Sequence, residues 1–121
     1  LNDRSTKLSG MVALLSKSRV DRFSYVEALH KDRHQVVATL TLWESWWRDV
    51  MIASSGATSS AISNIDYQNE IQRVSSQVDI TKAANTISAI RNTLDSLRKN
   101  ANARLALEVL MLQIPTVHLS S

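Results

Sequence analysis

Apolar residues along the chain return at steps of three and four rather than two, which is the period of a helix face. Leu8, Met11, Val12 and Leu15 predict a first helix over about residues 5–17. Gly10 inside it costs roughly 1 kcal/mol relative to alanine. Ser18 with Asp21 three residues on resembles a capping box and opens a second helix through Phe23, Val26 and Leu29. The His30-Lys31-Asp32 step reads as a corner, and Asp32 with Gln35 starts a third helix.

The third helix carries the strongest pattern. Val36, Leu40, Trp43, Trp47 and Val50 form one stripe, widened by Val37, Trp46 and Met51. It ends near Ser55, with Gly56 placed as the left-handed residue after the cap. A Ser/Thr/Ala loop covers residues 57–64. Asp66 is placed to cap a fourth helix bearing Tyr67, Ile71, Val74 and Val78, and Asp79 a fifth. Ile80, Ala83, Ile87, Ile90, Leu94 and Leu97 then hold one face for five turns, and Asn100 ends that helix. Asn102 is a good N-cap for a sixth, which stops at Pro115.

That sixth helix is apolar nearly all round: Leu105, Leu107, Val109, Leu110, Met111, Leu112 and Ile114. A helix of this kind is surrounded, as the central helix of its bundle or by meeting another chain along one side.

Composition agrees with the periodicity. A chain of 121 residues supports one domain. Gly10, Gly56 and Pro115 are its only glycines and proline, too few for the turns of an all-β fold. The expected fold is therefore an all-α, single-domain bundle of five to six helices. The chain lacks cysteine, which removes disulfides, thiol nucleophiles and cysteine-ligated zinc and fits a cytoplasmic protein. Arg48 and Asp49 interrupt the densest apolar stretch, so no run has the roughly 18 apolar residues of a membrane span. No signal peptide is expected at the N-terminus, where Asp3, Arg4 and Lys7 precede only a short apolar patch. The chain begins with leucine, and a fragment of a longer protein is expected.

Charge changes the picture little. The net charge is +3, and the first 34 residues hold seven basic and four acidic side chains against seven of each in the remainder. The excess reads as a weak phosphate-facing patch or, more simply, as a solvated face.

Candidate chemistry is thin. Two isolated glycines supply neither a P-loop nor a dinucleotide fingerprint. Glu27-x-x-His30 has the spacing of a di-iron ligand pair, but such bundles need a second pair and two further glutamates. The corner at Asp32 would also point His30 and His34 apart, which leaves them as surface residues around a turn. No Gly-x-Ser-x-Gly turn holds a nucleophile. Trp43, Trp46 and Trp47 beside Arg48 could stack bases, yet burying one large aromatic contributes about 1.5–3 kcal/mol and makes core or interface the economical use. Trp46 lies off the main stripe and is the interfacial candidate of the three. Charges near apolar helices need partners, and Asp49 with Arg104 is the expected bridge, while Glu108 is expected either in the same group or in solvent. No cofactor or metal is expected, and no catalytic residue.

The run Leu42-Trp-Glu-Ser-Trp-Trp-Arg-Asp-Val-Met-Ile52 and the later Asn100-Ala-Asn-Ala-Arg-Leu-Ala-Leu-Glu-Val-Leu-Met-Leu112 resemble the C-terminal domain of the bacterial DNA polymerase III clamp-loader subunit delta prime. The second segment is echoed in the sister gamma/tau subunits. The resemblance implies a collar domain, one of five that close into a ring and hold ATPase-like modules while a sliding clamp is opened and loaded on primed DNA. In delta prime that module is itself inactive, and the resemblance implies that this sequence is the collar piece without it. Implied partners are the gamma/tau and delta subunits, with no nucleotide bound directly, DNA contact indirect or weak, and no membrane. The candidate interface and structural residues are Trp46, Trp47, Arg48, Asp49, Asn102, Arg104, Leu105, Leu107 and Glu108. A charged residue at Leu105 or Leu107 is expected to block folding or collar assembly. The serine- and alanine-rich stretch 54–61 departs from the more charged turn expected there. The rival function is a stand-alone nucleic-acid-binding domain using Lys17, Arg19, Arg22, Lys31 and Arg33 with an exposed tryptophan; a metal-dependent bundle enzyme built on His30 ranks last.

Overall fold

The computed structural model describes residues 2–56 and 62–118; residues 57–61 of the Ser/Thr/Ala loop lie outside them. Among the described residues there are six α-helices and no strand. They are α1 (Asn2–Leu14), α2 (Arg19–Leu29), α3 (Arg33–Ser54), α4 (Gln68–Ser75), α5 (Ile80–Arg98) and α6 (Ala103–Gln113), with a short 3-10 turn at Ile65–Tyr67 before α4. The expected all-helical bundle is the observed one.

Most helix starts follow from their caps. Ser18 accepts from the Asp21 N–H at 3.3 Å, Asp32 from His34 and Gln35, Asp79 from Lys82 at 2.8 Å, and Asn102 from Leu105 at 3.0 Å. Each satisfies backbone donors that the first helical turn leaves open. Asp66 does not cap α4. It lies inside the 3-10 turn, and its carboxylate pairs instead with Arg4 at 2.7 Å across the bundle. That hydrogen bond holds the Asp66 carboxyl below its ordinary pKa.

Helix ends are equally local. Gly56 has φ +84°, as expected after the Ser55 cap of α3. Asn100 takes the same left-handed conformation at φ 62°. There Asn100 N–H donates to the Leu97 carbonyl and Ala101 N–H to that of Ser96, the two closing bonds of a Schellman motif.

Helix α3 is the centre of the bundle. It packs against α5, α4 and α1, and α6 lies farther out against α5 and α2. Leu40, Trp43, Trp46, Trp47 and Val50 are all fully buried. Trp46 and Trp47 meet edge to face at 5.4 Å, and Tyr25 stacks on Trp43 at 6.0 Å. Burial pushes the Tyr25 phenol up to about 12. Trp46 is thus core, not interface. The expectation judged it against a single stripe, whereas α3 has three helices packed against it and the buried side extends beyond that stripe to Trp46 and Asp49. On α5 the outermost apolar residue, Ile80, stands 47% exposed rather than on the core face.

Arg22 joins the ends of three helices. Its side chain is buried, and its five N–H groups donate to five backbone carbonyls. Leu14 and Leu15 lie at the end of α1, and Met111, Ile114 and Pro115 at the end of α6. Those carbonyls have no helical partner of their own, and the negative end of each helix dipole suits a cation. Burial lowers the guanidinium pKa from its ordinary value. The tail after Pro115 is pinned by Val117, whose N–H donates to the Leu15 carbonyl at 2.8 Å, and by the Gln77 amide, which exchanges two bonds with the His118 backbone.

Candidate functional site

Helix α6 carries two apolar faces. Leu107, Leu110, Met111 and Ile114 point inward and are buried. Leu105, Val109 and Leu112, spaced four and three residues apart on the opposite side, are 60%, 50% and 54% exposed. A 100° turn per residue places these two sets half a circle apart, so a single neighbour covers only one of them. The helix is peripheral rather than the centre of the bundle, and one side of it is left open. A row of three large apolar side chains at helical spacing is the pattern that a partner helix covers.

Beside this row, between α5 and α6, runs a groove of ≈ 300 Å³. Its floor is small, with Ala89 and Ala106; Asn92, Ser96 and Asn102 form the polar rim and Leu105 and Val109 one wall. No ionisable side chain lines it. The groove admits a side chain from outside without desolvating a charge, which keeps the cost of covering it low.

The other flank of α6 is held by ion pairs. Arg104 Nε lies 2.7 Å from Glu27 of α2 and 3.4 Å from Glu108 one turn along. All three are partly exposed, and pairs of this kind contribute little to stability. The first of the two pairs links α6 to α2. The expected Asp49–Arg104 bridge is not formed. Asp49 is buried and accepts from the Ser63 N–H at 3.0 Å, the Asn64 N–H at 2.7 Å and the Asn64 Nδ2 at 2.6 Å. Its partners are two backbone N–H groups and one side-chain amide, and together they reattach the chain to α3 after the loop. Arg48 is exposed and lies 3.7 Å from Glu44. Asn102 caps α6, Leu107 and Trp47 are core, and of the predicted residues Asn102 and Leu105 both stand exposed and line the groove, Leu105 as the apolar one of the two.

Two rival readings of the sequence lose part of their support in the structure. Of the N-terminal basic residues, Arg22 is buried among carbonyls, and Arg33 donates to the carbonyls of Leu97 at 2.7 Å and Ala101 at 2.8 Å, capping α5. Arg22 is committed to its carbonyls, Arg33 uses part of its guanidinium on its own, Lys17, Arg19 and Lys31 stand exposed, and no tryptophan is exposed beside them. Glu27 is taken by Arg104 and His30 forms the C-cap of α2. Among the described residues no three metal-ligating side chains cluster.

Val109 and Leu112 were not singled out from the sequence. The signal for them was present: once Leu107, Leu110, Met111 and Ile114 are assigned as one complete stripe, Leu105, Val109 and Leu112 remain as a second. No helix of the described residues is long and apolar enough to cross a membrane.

No curated protein and no solved structure matches the chain. Residues 1–116 match the family described as DNA polymerase III, delta subunit, C terminal. The description names delta where the resemblance of the two helical segments named delta prime or gamma/tau, so the subunit is corrected and the clamp-loader assignment stands. A non-catalytic domain of replication machinery accords with a surface whose outstanding feature is an uncovered helix face. The match spans nearly all of the sequence, and the chain belongs to this family, the C-terminal domain of a DNA polymerase III clamp-loader subunit.

Proposed function

We propose that the domain is the collar module of its clamp-loader subunit: a non-catalytic oligomerisation domain that packs with sister subunits, gamma/tau among them, into a pentameric ring supporting sliding-clamp loading. One observation carries the reading. Leu105, Val109 and Leu112 form an apolar row in solvent on a helix already anchored by its other face. Each of these side chains is already about half covered, so burying the rest contributes about 1 kcal/mol apiece, and covering the row supplies an apolar core for an interface. A ring member needs two non-equivalent faces, and the α5–α6 side is assigned to one neighbour.

The test mixes this chain with the C-terminal domains of the sister subunits and follows assembly by size-exclusion chromatography with light scattering. The wild-type chain is expected to co-assemble, and Leu105→Asp combined with Val109→Asp to remain a folded monomer. Wild-type assembly undiminished in the double variant would move the interface elsewhere. A wild-type chain that binds no sister subunit would end the collar reading.

A further inference from the structure

Most cations of this domain already have a partner, and two of those that have none meet in one place. Arg4, Arg91 and Arg104, for example, each hold a carboxylate of another element. Lys17, between α1 and α2, and Arg19, the first residue of α2, are exposed and form no ion pair among the described residues. Both line a cleft of ≈ 500 Å³ where the end of α1, the start of α2 and the end of α6 come together. No carboxylate lines this cleft. Asp21, in the first turn of α2, stands outside it and pairs with neither cation. The walls include the hydroxyl residues Ser16 and Thr116 and the apolar Leu112. Leu112 also belongs to the exposed row of α6, so the cleft and the row form one continuous surface.

We propose that this cleft receives a carboxylate, an Asp or Glu side chain of the sister subunit that covers the α6 row, the identity of that partner resting on the collar reading above. The floor of the cleft sets its electrostatics. The C-terminal ends of α1 and α6 converge there, and their carbonyl dipoles on their own repel an anion. Arg22 cancels this. Its five N–H groups are all used on those carbonyls, so it offers no donor to a ligand, but its charge neutralises the two negative helix ends. Lys17 and Arg19 are left as the net charge of the cleft, and the positive end of α2 adds to them. A cation at the first residue of a helix opposes the helix dipole, so Arg19 is badly placed for α2 and well placed for an incoming anion. Two cations in a bounded cleft with an apolar wall match one carboxylate at the polar rim of an apolar contact. A nucleic-acid backbone would need a longer track of cations than this cleft supplies.

The experiment measures fluorescence anisotropy of this chain, labelled and titrated with the C-terminal domains of the sister subunits at ~50 and ~200 mM salt. Wild-type affinity is expected to fall as salt rises. Lys17→Gln with Arg19→Gln should lower it roughly three- to tenfold at the lower salt and flatten the salt response. Both side chains are exposed, so the thermal melt of this variant should match wild type. Lys17→Glu alone, outside both helices, should weaken binding more than Lys17→Gln, because it adds repulsion to the lost attraction. Leu105→Ala is the comparison: it removes apolar contact and no charge, so it should weaken binding and keep the wild-type salt response. A labelled DNA duplex titrated in parallel separates carboxylate from phosphate as the ligand. The proposal is overturned if the Gln pair binds the sister domains and responds to salt as wild type does while Leu105→Ala weakens binding; the collar reading then stands without it. It is overturned equally if the Gln pair loses affinity for the duplex and not for the sister domains. A wild-type chain that binds no sister domain ends both readings.

Discussion

Helices α3 and α6 read alike in sequence and differ in the fold. Both are rich in large apolar residues, and α6 is the more continuously apolar of the two. Yet α3 lies inside, with α1, α4 and α5 around it and three tryptophans fully buried, and α6 lies at the edge with half its apolar surface in solvent. The difference is in the polar residues. Helix α3 places Thr41, Glu44 and Arg48 along one row, and Glu44 and Arg48 there meet water or the charges of α5. It has a designated outside. On the side opposite its buried stripe helix α6 has no such row: Leu105, Val109 and Leu112 stand there, and its charges Arg104 and Glu108 are confined to the flank that meets α2. A central helix of a small bundle still shows some polar outside, while a peripheral helix lacking one is built for a neighbour.

Truncation at the centre is the harshest test of this contrast. Trp47 is fully buried at the junction of α3 with its neighbours, and its partner Trp46 meets it edge to face. Trp47→Ala removes that contact and leaves a large cavity, with an expected loss of about 3–5 kcal/mol in urea or guanidinium unfolding. Domains of this size hold roughly 5–15 kcal/mol, so the variant should melt far below wild type. The loss would be blunted at one point. The Trp46 and Trp47 indole N–H groups are both buried without a hydrogen-bond partner among the described residues, so truncation also removes an unsatisfied donor. A loss below about 1 kcal/mol would contradict the placement of α3 at the centre.

The two faces of α6 give a finer comparison with the same chemistry. Leu107 is fully buried and Leu105 is 60% exposed, two residues away. Leu107→Ala should destabilise the isolated chain by about 2–5 kcal/mol, and Leu105→Ala by no more than about 0.5 kcal/mol. The ranking reverses in assembly: Leu105→Ala should weaken binding to a sister subunit while the fold stays intact. The sequence expectation that a charge at either leucine blocks folding or assembly separates into one outcome for each. Equal losses of stability at both positions would mean that α6 is enclosed after all.

The sequence was legible where a residue acts on its own neighbourhood. Ser18, Asp32, Asp79 and Asn102 start their helices because a short polar side chain reaches backbone donors two or three residues ahead. It was opaque where the partner is distant in sequence. Asp66 has the same chemistry as those caps, but Arg4, 62 residues earlier, claims its carboxylate. Asp49 accepts from the backbone N–H groups of Ser63 and Asn64, which every residue but proline has, and from the Asn64 side-chain amide across the loop, a pairing that only the fold brings about. Arg22 was counted as part of a basic patch because charge is visible in a sequence and burial is not. Its five carbonyl partners are helix ends brought together only by the fold. The outward row of α6 falls between these cases, readable from spacing once the inward stripe is known.

Helix α1 leans on α3 and offers the mildest test. Gly10 sits in the interior of α1, where glycine destabilises a helix by roughly 0.8–1.0 kcal/mol relative to alanine. A close approach would justify it, and the nearest side chain is Tyr25, which stacks on Trp43 of α3. A methyl group added at Gly10 would meet Tyr25 Cε1 at 3.5 Å and its phenol oxygen at 3.6 Å. Those are ordinary van der Waals distances, and φ at Gly10 is not in the left-handed region. Gly10→Ala therefore fits without moving the ring and gains both helix propensity and a contact. The expected result is a gain of about 0.5–1 kcal/mol, read as a rise in the urea midpoint with an unchanged slope. A decrease instead would show that Tyr25 is held against α1 more tightly than these distances allow, and that the α1 side of α3 packs as closely as the tryptophan side.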